Sequence, residues 1–293
     1  MQIDSHQHFW EYDPEQYGWM DDRMTVLQHD HLPVDLDAAQ ADLGFDGSVA
    51  VQARQSLEEN RLLLELSDSN PRIRGVVGWV DLQSDEVNAQ LAQFANHSRF
   101  VGVRHVVQDE PDDNFMLRAE FVHGISRLED FGLTYDILIY PRQLPAAISL
   151  VKQFPKQAFV LDHIAKPLIK AGIQEPWAQQ IRELAEHPNV YCKISGMVTE
   201  ADWGSWKPED FQPYLEVVLD AFGPERLMIG SDWPVCRLAG EYTPVMQLAI
   251  DFMQAHSAEH MDAFLGGTRS PFMALQPSVS SLWIVNLLSV TGF

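Results

Sequence analysis

The chain has 293 residues, 46% of them hydrophobic and 21% charged, with a formal net charge of −22. That is a globular composition with enough apolar residues for a sizeable core, and so acidic a surface argues against nucleic acid and anionic membranes as partners. A small sugar-acid or anionic substrate stays open, because a few cations in a cleft dominate locally.

The first residues read at once as a strand, with no basic start and no apolar leader, and no stretch reaches the roughly 18 apolar residues of a membrane span. Two cysteines, Cys192 and Cys236, are too few for a disulfide framework or a cysteine metal site. They are expected as reduced thiols of a cytoplasmic protein.

Eight short apolar, β-rich runs follow one another, at 3–9, 47–53, 75–82, 100–107, 133–140, 158–163, 190–195 and 227–232. Polar stretches with an apolar stripe separate them, at 36–42, 58–69, 86–95, 115–130, 144–154, 176–186 and 208–222. Strands alternating with helices predict parallel strands with crossover helices. Eight such units in about 250 residues predict a single (β/α)8 TIM barrel over 1–268. A doubly wound open sheet is the alternative, but its Gly-rich phosphate turn is missing after the first run, where His-Gln-His-Phe-Trp stands.

Functional side chains of such a barrel gather at the carboxyl ends of its strands. His6 and His8 end the first run, and on a strand they share one face. The loop at 10–33 is long and rich in Trp, Tyr and Met; it is either a substrate-binding lid or an apolar plug over the barrel end. It holds a second His-X-His, His29-Asp30-His31, which follows no strand-like run and is expected at the surface. Gln52 and Arg54 end the second run, Trp79 the third, Arg104 and His105 the fourth, Tyr140 the fifth. His163 and Lys166 end the sixth, Glu200 follows the seventh, and Asp232 ends the eighth. Arg54 and Arg104 would alternatively form salt bridges at the barrel mouth. The tail at 269–293 mixes Ser and Gly with apolar residues and departs from the pattern, as a non-native end or as an extra helix or dimer contact.

His6, His8, His163 and Asp232 offer three nitrogens and one carboxylate, a set that suits one divalent ion, zinc first and manganese second. The competing structural roles are a buried histidine bonded to backbone for His163 and a helix cap for Asp232.

The motifs Asp4-Ser5-His6-Gln7-His8, Leu161-Asp162-His163-Ile164-Ala165-Lys166-Pro167, Cys192-Lys193-Ile194-Ser195-Gly196 and Gly230-Ser231-Asp232-Trp233-Pro234 resemble the amidohydrolase superfamily. The chain looks like its lactonase branch, nearest the sugar lactonases of L-fucono-1,5-lactonase type. The segments Val51-Gln52-Ala53-Arg54, Gly78-Trp79-Val80-Asp81-Leu82 and Arg104-His105-Val106-Val107-Gln108 carry that closer match. The resemblance implies hydrolysis of a sugar-acid lactone, with a place in L-fucose catabolism and no partner beyond the small-molecule substrate and further copies of the chain. It implies that Asp232 activates water and that His6, His8 and His163 surround it. His105, Lys166 and Arg54 join the histidines as candidates for stabilising the oxyanion. Gln52, Trp79, Arg104, Tyr140 and Glu200 are candidates for holding sugar hydroxyls. Two-metal members carry a Lys or Glu after strand four and a His after strand five. Arg104-His105 and Ile139-Tyr140 stand there instead, so at most one ion is expected, and activity is not expected to depend on it. The alternatives are a metal-dependent decarboxylase or hydratase of the same superfamily, and a sugar-acid binding protein without turnover.

Overall fold

The computed structural model describes residues 1–266. Eight parallel strands form one sheet in sequential order: β1 Ile3–Gln7, β2 Gly47–Val51, β3 Ile73–Gly78, β4 Phe100–His105, β5 Thr134–Ile137, β6 Phe159–Leu161, β7 Val190–Ile194 and β8 Leu227–Ile229. The sheet curls into a nearly closed barrel. Just past the strands, Asp232 N–H donates to the His6 carbonyl at 2.8 Å and His8 N–H to the Trp233 carbonyl at 2.7 Å. Lower down, the buried Asp4 carboxylate accepts from Ser231 N–H at 2.9 Å and Ser231 Oγ at 2.6 Å. The seam where β8 meets β1 is therefore stitched by side chain as well as backbone.

Helices α1 Pro33–Asp42, α2 Leu57–Ser69, α3 Val87–Phe94, α4 Ala119–Leu128, α5 Leu144–Gln153, α6 Trp177–Ala185, α7 Pro208–Phe222 and α8 Tyr242–Ser257 wrap the sheet. The stretch expected as one helix at 115–130 is broken. A short 3-10 turn, Phe115–Leu117, stops at Arg118, whose backbone is extended and whose guanidinium pairs with Asp112 at 3.0 Å. No helix among the described residues is long and apolar enough to cross a membrane. The tail at 269–293 lies outside the described residues.

Period-two alternation along buried strands gives two apolar layers. Outward residues such as Val103, Tyr135, Phe159, Cys192 and Ile229 pack against the helices. Inward residues including Val49, Val77, Val160 and Met228 fill the barrel's lower half. One step further along, on the same inward rows, the residues become charged: Arg104, Asp136, Asp162 and Lys193, all buried. The axis of the barrel thus changes from aliphatic to ionic just beneath its carboxyl end.

Candidate active site

A cavity of about 880 Å³ opens at the carboxyl end of the barrel. His8, Arg54, Arg104, Tyr140, His163, Lys166, Glu200 and Asp232 line it. Its outer wall carries Trp19 and Met24 from the 10–33 loop and Trp203 from beyond β7. That loop packs as an apolar plug and also contributes to the cavity wall. Trp10, Tyr17, Met20 and Leu27 form a small core of their own, and the loop's rim faces the cavity.

His8 Nδ1 faces the Val51 carbonyl at 2.7 Å. A carbonyl only accepts, so Nδ1 carries the proton and the Nε2 lone pair points at the cavity floor. There it meets His6 Nε2 at 3.3 Å and Asp232 Oδ1 at 3.3 Å, while His6 Nε2 and Asp232 Oδ1 are 3.7 Å apart. Asp232 stands in the left-handed region, φ 58°. His163 Nε2 is 3.9 Å from the same carboxylate oxygen, and its Nδ1 is fixed by Ser195 Oγ at 2.9 Å.

His163 owes its position to a run of four left-handed residues, His163 to Lys166. Each is disfavoured for an L-residue with a side chain, and such strain gathers at functional sites. The Trp177 indole donates to the Ile164 carbonyl at 2.8 Å and holds the turn. Gly196 completes the fit: at φ 58°, a Cβ there would lie 2.3 Å from His163 Nδ1.

Burial outweighs the neighbouring carboxylates at His163 and brings it down to about 4. Burial likewise lowers His6, against Asp162. Burial acts the other way on Asp232, yet His163, His8 and His6 prevail and hold its carboxyl below the ordinary range. Glu200 is raised by burial, with Lys166, 3.8 Å away, opposing.

Three atoms with lone pairs therefore converge on the floor. A tetrahedral ion with 2.0–2.1 Å bonds to nitrogen and oxygen has ligand–ligand edges of about 3.3–3.4 Å. His8 stands at that spacing from both His6 and Asp232, while the His6–Asp232 edge is wider at 3.7 Å; neutral imidazoles with an ionised carboxylate are the protonation states that bind a divalent ion. His163 is the more distant fourth donor.

Several residues expected at the cavity are elsewhere. His105 follows the inward Arg104 on β4 and so faces outward. It stacks on Phe115 at 4.8 Å and lies 2.8 Å from Glu110, and the Trp79 indole donates to its Nδ1 at 3.4 Å. Neither His105 nor Trp79 lines the cavity, which corrects both assignments to the site. Gln52 is fully buried beneath it and holds Arg104 instead of facing the cavity. His6 is also fully buried, at the floor. His31, expected at the surface, is 1% exposed, packed between Trp10 and Trp233, while its neighbours His29 and Asp30 are exposed.

Sequence reasoning weighed a salt bridge for Arg104, which is present, but passed over the rest of the ionic layer under His6. Lys193 Nζ pairs with Asp162 at 2.9 Å and with Asp136, and Arg104 Nη1 lies 3.0 Å from Asp162. The signal was present: a charged residue inside an otherwise apolar strand is rare unless paired. Glu59 was missed too. It is buried, pushed up to about 7 by that burial, and accepts from the backbone N–H groups of Ala53 and Arg54.

The amidohydrolase family model matches residues 3–268. The chain belongs to the amidohydrolase family. It is 39% identical over 286 residues to an L-fucono-1,5-lactonase of Burkholderia multivorans, covering 94% of this chain and 96% of that protein. An L-fucono-1,5-lactonase of Burkholderia ambifaria is 38% identical over 242 residues, 82% of each chain. An amidohydrolase of Burkholderia multivorans solved with bound zinc superposes at TM-score 0.90 and 39% identity, covering 94% of this chain and 99% of that one. A putative 2-pyrone-4,6-dicarboxylic acid hydrolase of Pseudomonas putida, at 22% identity and TM-score 0.74 over 94% and 98% of the two chains, shares the fold. As an amidohydrolase the chain is an enzyme, and the two Burkholderia lactonases are hydrolases of carboxylic esters.

Proposed function

We propose that this amidohydrolase opens a sugar-acid lactone, L-fucono-1,5-lactone or a related aldonolactone, to the free aldonic acid. The observation that carries the reading is the Asp232 carboxylate, ringed by three imidazoles on the floor of the cavity at the carboxyl end of the barrel. The identity of 38–39% to two named L-fucono-1,5-lactonases supports the substrate class.

Asp232 takes the proton of a water as that water's oxygen bonds to the lactone carbonyl carbon. The carbonyl becomes a tetrahedral oxyanion, and Lys166 and Arg54, cations of the cavity wall, stabilise it. Collapse breaks the bond to the ring oxygen. The departing alkoxide takes a proton back from Asp232, and the new carboxylic acid ionises, so each turnover releases one proton. Tyr140 and Glu200 hold hydroxyls of the sugar, with Trp19 and Trp203 as its apolar wall. A divalent ion, zinc by the donor set and by the zinc-bound relative, would be held by His6, His8 and Asp232, with His163 beside them, and would polarise the carbonyl and acidify the water. Two buried free cysteines suit a reducing, cytoplasmic compartment.

The test is a panel of aldonolactones assayed by proton release. Turnover of a six-carbon 1,5-lactone is expected, and a folded enzyme that opens none of the panel would overturn the reading.

A further inference from the structure

Both ring nitrogens of His6 are already engaged. Arg104 Nη1 lies 3.2 Å from Nε2, and a guanidinium only donates, so Nε2 accepts there. Nδ1 lies 3.3 Å from Asp162 Oδ1. Lys193 Nζ stands 3.3 Å from the same Nδ1. His6 is thus a neutral imidazole with a fixed cation at each nitrogen. The lone pair that accepts from Arg104 is the one that faces His8 Nε2 and Asp232, the lone pair a divalent ion would require.

We propose that Arg104 is a built-in competitor for His6 and sets how tightly this site holds a metal. An ion with His6 in its shell binds only as Arg104 gives up its hydrogen bond to Nε2, and it binds beside a positive charge that remains. Arg104 cannot easily withdraw. Its Nε and Nη2 reach Gln52 Oε1 at 3.3 and 2.9 Å, Nη2 also donates to the Gln52 carbonyl, Nη1 reaches Asp162 at 3.0 Å, and the residue is 3% exposed. Like charges brought together in a buried place repel strongly. With Arg104 in place the site is weak for metal although its donors are well spaced. The same logic covers the second donor group, His6, Asp162 and His163, whose ligand atoms lie within 4.8 Å of one another. Arg104 and Lys193 both pair with Asp162 there, which disfavours a second ion.

The experiment is zinc binding, read by competition with a chromophoric chelator on metal-stripped protein. It measures affinity and not turnover, so its outcome is separate from that of the lactonase reading. Arg104→Met removes the charge and the donor at similar length and leaves Asp162 paired with Lys193. It should tighten zinc by about 10–100-fold, the range that groups around metal ligands command. Adding His8→Ala should abolish the gain, which locates it at this site. Gln52→Ala keeps the charge but loosens Arg104, and should tighten zinc by about threefold, a smaller change of the same sign. Equal or weaker zinc affinity in folded Arg104→Met would overturn the proposal. If that variant does not fold, as circular dichroism would show, Gln52→Ala decides: no tightening there refutes it.

Discussion

Asp232→Asn separates chemistry from architecture at one position. Asparagine keeps the shape and one oxygen, and it tolerates the left-handed backbone that Asp232 adopts at φ 58°. The hydrogen bond from its backbone N–H to the His6 carbonyl at 2.8 Å survives the change. What goes is the basic carboxylate and its interactions with His8 Nε2 at 3.3 Å and His6 Nε2 at 3.7 Å. Both Nε2 atoms carry lone pairs toward the carboxylate, so no hydrogen bond to a charged group is broken and the fold should change by no more than about 1 kcal/mol. At about 2–4 °C per kcal/mol, that is a melting shift of under about 4 °C. Loss of the general base should slow turnover by about 10²–10⁴-fold. That rate loss corresponds to about 3–5 kcal/mol of barrier. The assay is proton release from an aldonolactone in weak buffer, with the spontaneous hydrolysis rate subtracted and a thermal melt on the same sample. A folded variant within tenfold of wild type would remove Asp232 from the role assigned here.

The pH profile follows from the same groups. His163 stays neutral down to about 4, and Asp232 stays ionised below the ordinary carboxylate range. Stopped-flow rates should therefore hold kcat/KM level from neutrality to about pH 5, and a midpoint between about 6 and 7 would contradict this assignment. The sign for stability is fixed too. His163 titrates near 6.5 unfolded and about 4 folded, so its contribution is complete above 6.5 and is lost as pH falls toward 4. Elemental analysis should find at most one divalent ion per chain. Chelation should slow the enzyme by less than about tenfold, under ~1.4 kcal/mol, because Arg54 and Lys166 remain as cations of the cavity wall; full loss of rate restored only by metal would refute this. Lys193→Met strands Asp136 and half of Asp162 in the barrel axis and should cost about 3–5 kcal/mol. Its melt should fall by at least about 6 °C, and a shift under about 2 °C would mean that the ionic layer is not holding the strands.

The barrel was legible because parallel strands covered on both faces read as plain apolar runs, and residues such as His6, His8, His163 and Asp232 stand at their ends. What a run's end does not disclose is which of two adjacent residues faces the axis. Arg104 and His105 looked equivalent, and the pleat sends one to the cavity floor and the other into the helical shell. Gly102 and Arg104 share a parity, and following that parity through β5, β6 and β7 would have led to Asp136, Asp162 and Lys193. Helix α8 was overlooked after the eighth run. Its Pro244 lies in the first turn, where a missing N–H breaks no helical bond. His31 was misjudged because its burial is made by Trp10 and Trp233, which sequence distance conceals.

The 10–33 loop carries its own small core, and Trp10 and His31 fasten it to itself through paired backbone hydrogen bonds of 2.9 Å. Its rim residues Gln16, Trp19 and Met24 reach the cavity, yet none of them touches the ionic layer that sets the floor. The molecule is therefore divided into a fixed hearth and an exchangeable hood. Substitutions along the hood reshape the outer wall of the cavity, while its floor, braced from below by β5, β6 and β7, is left as it stands.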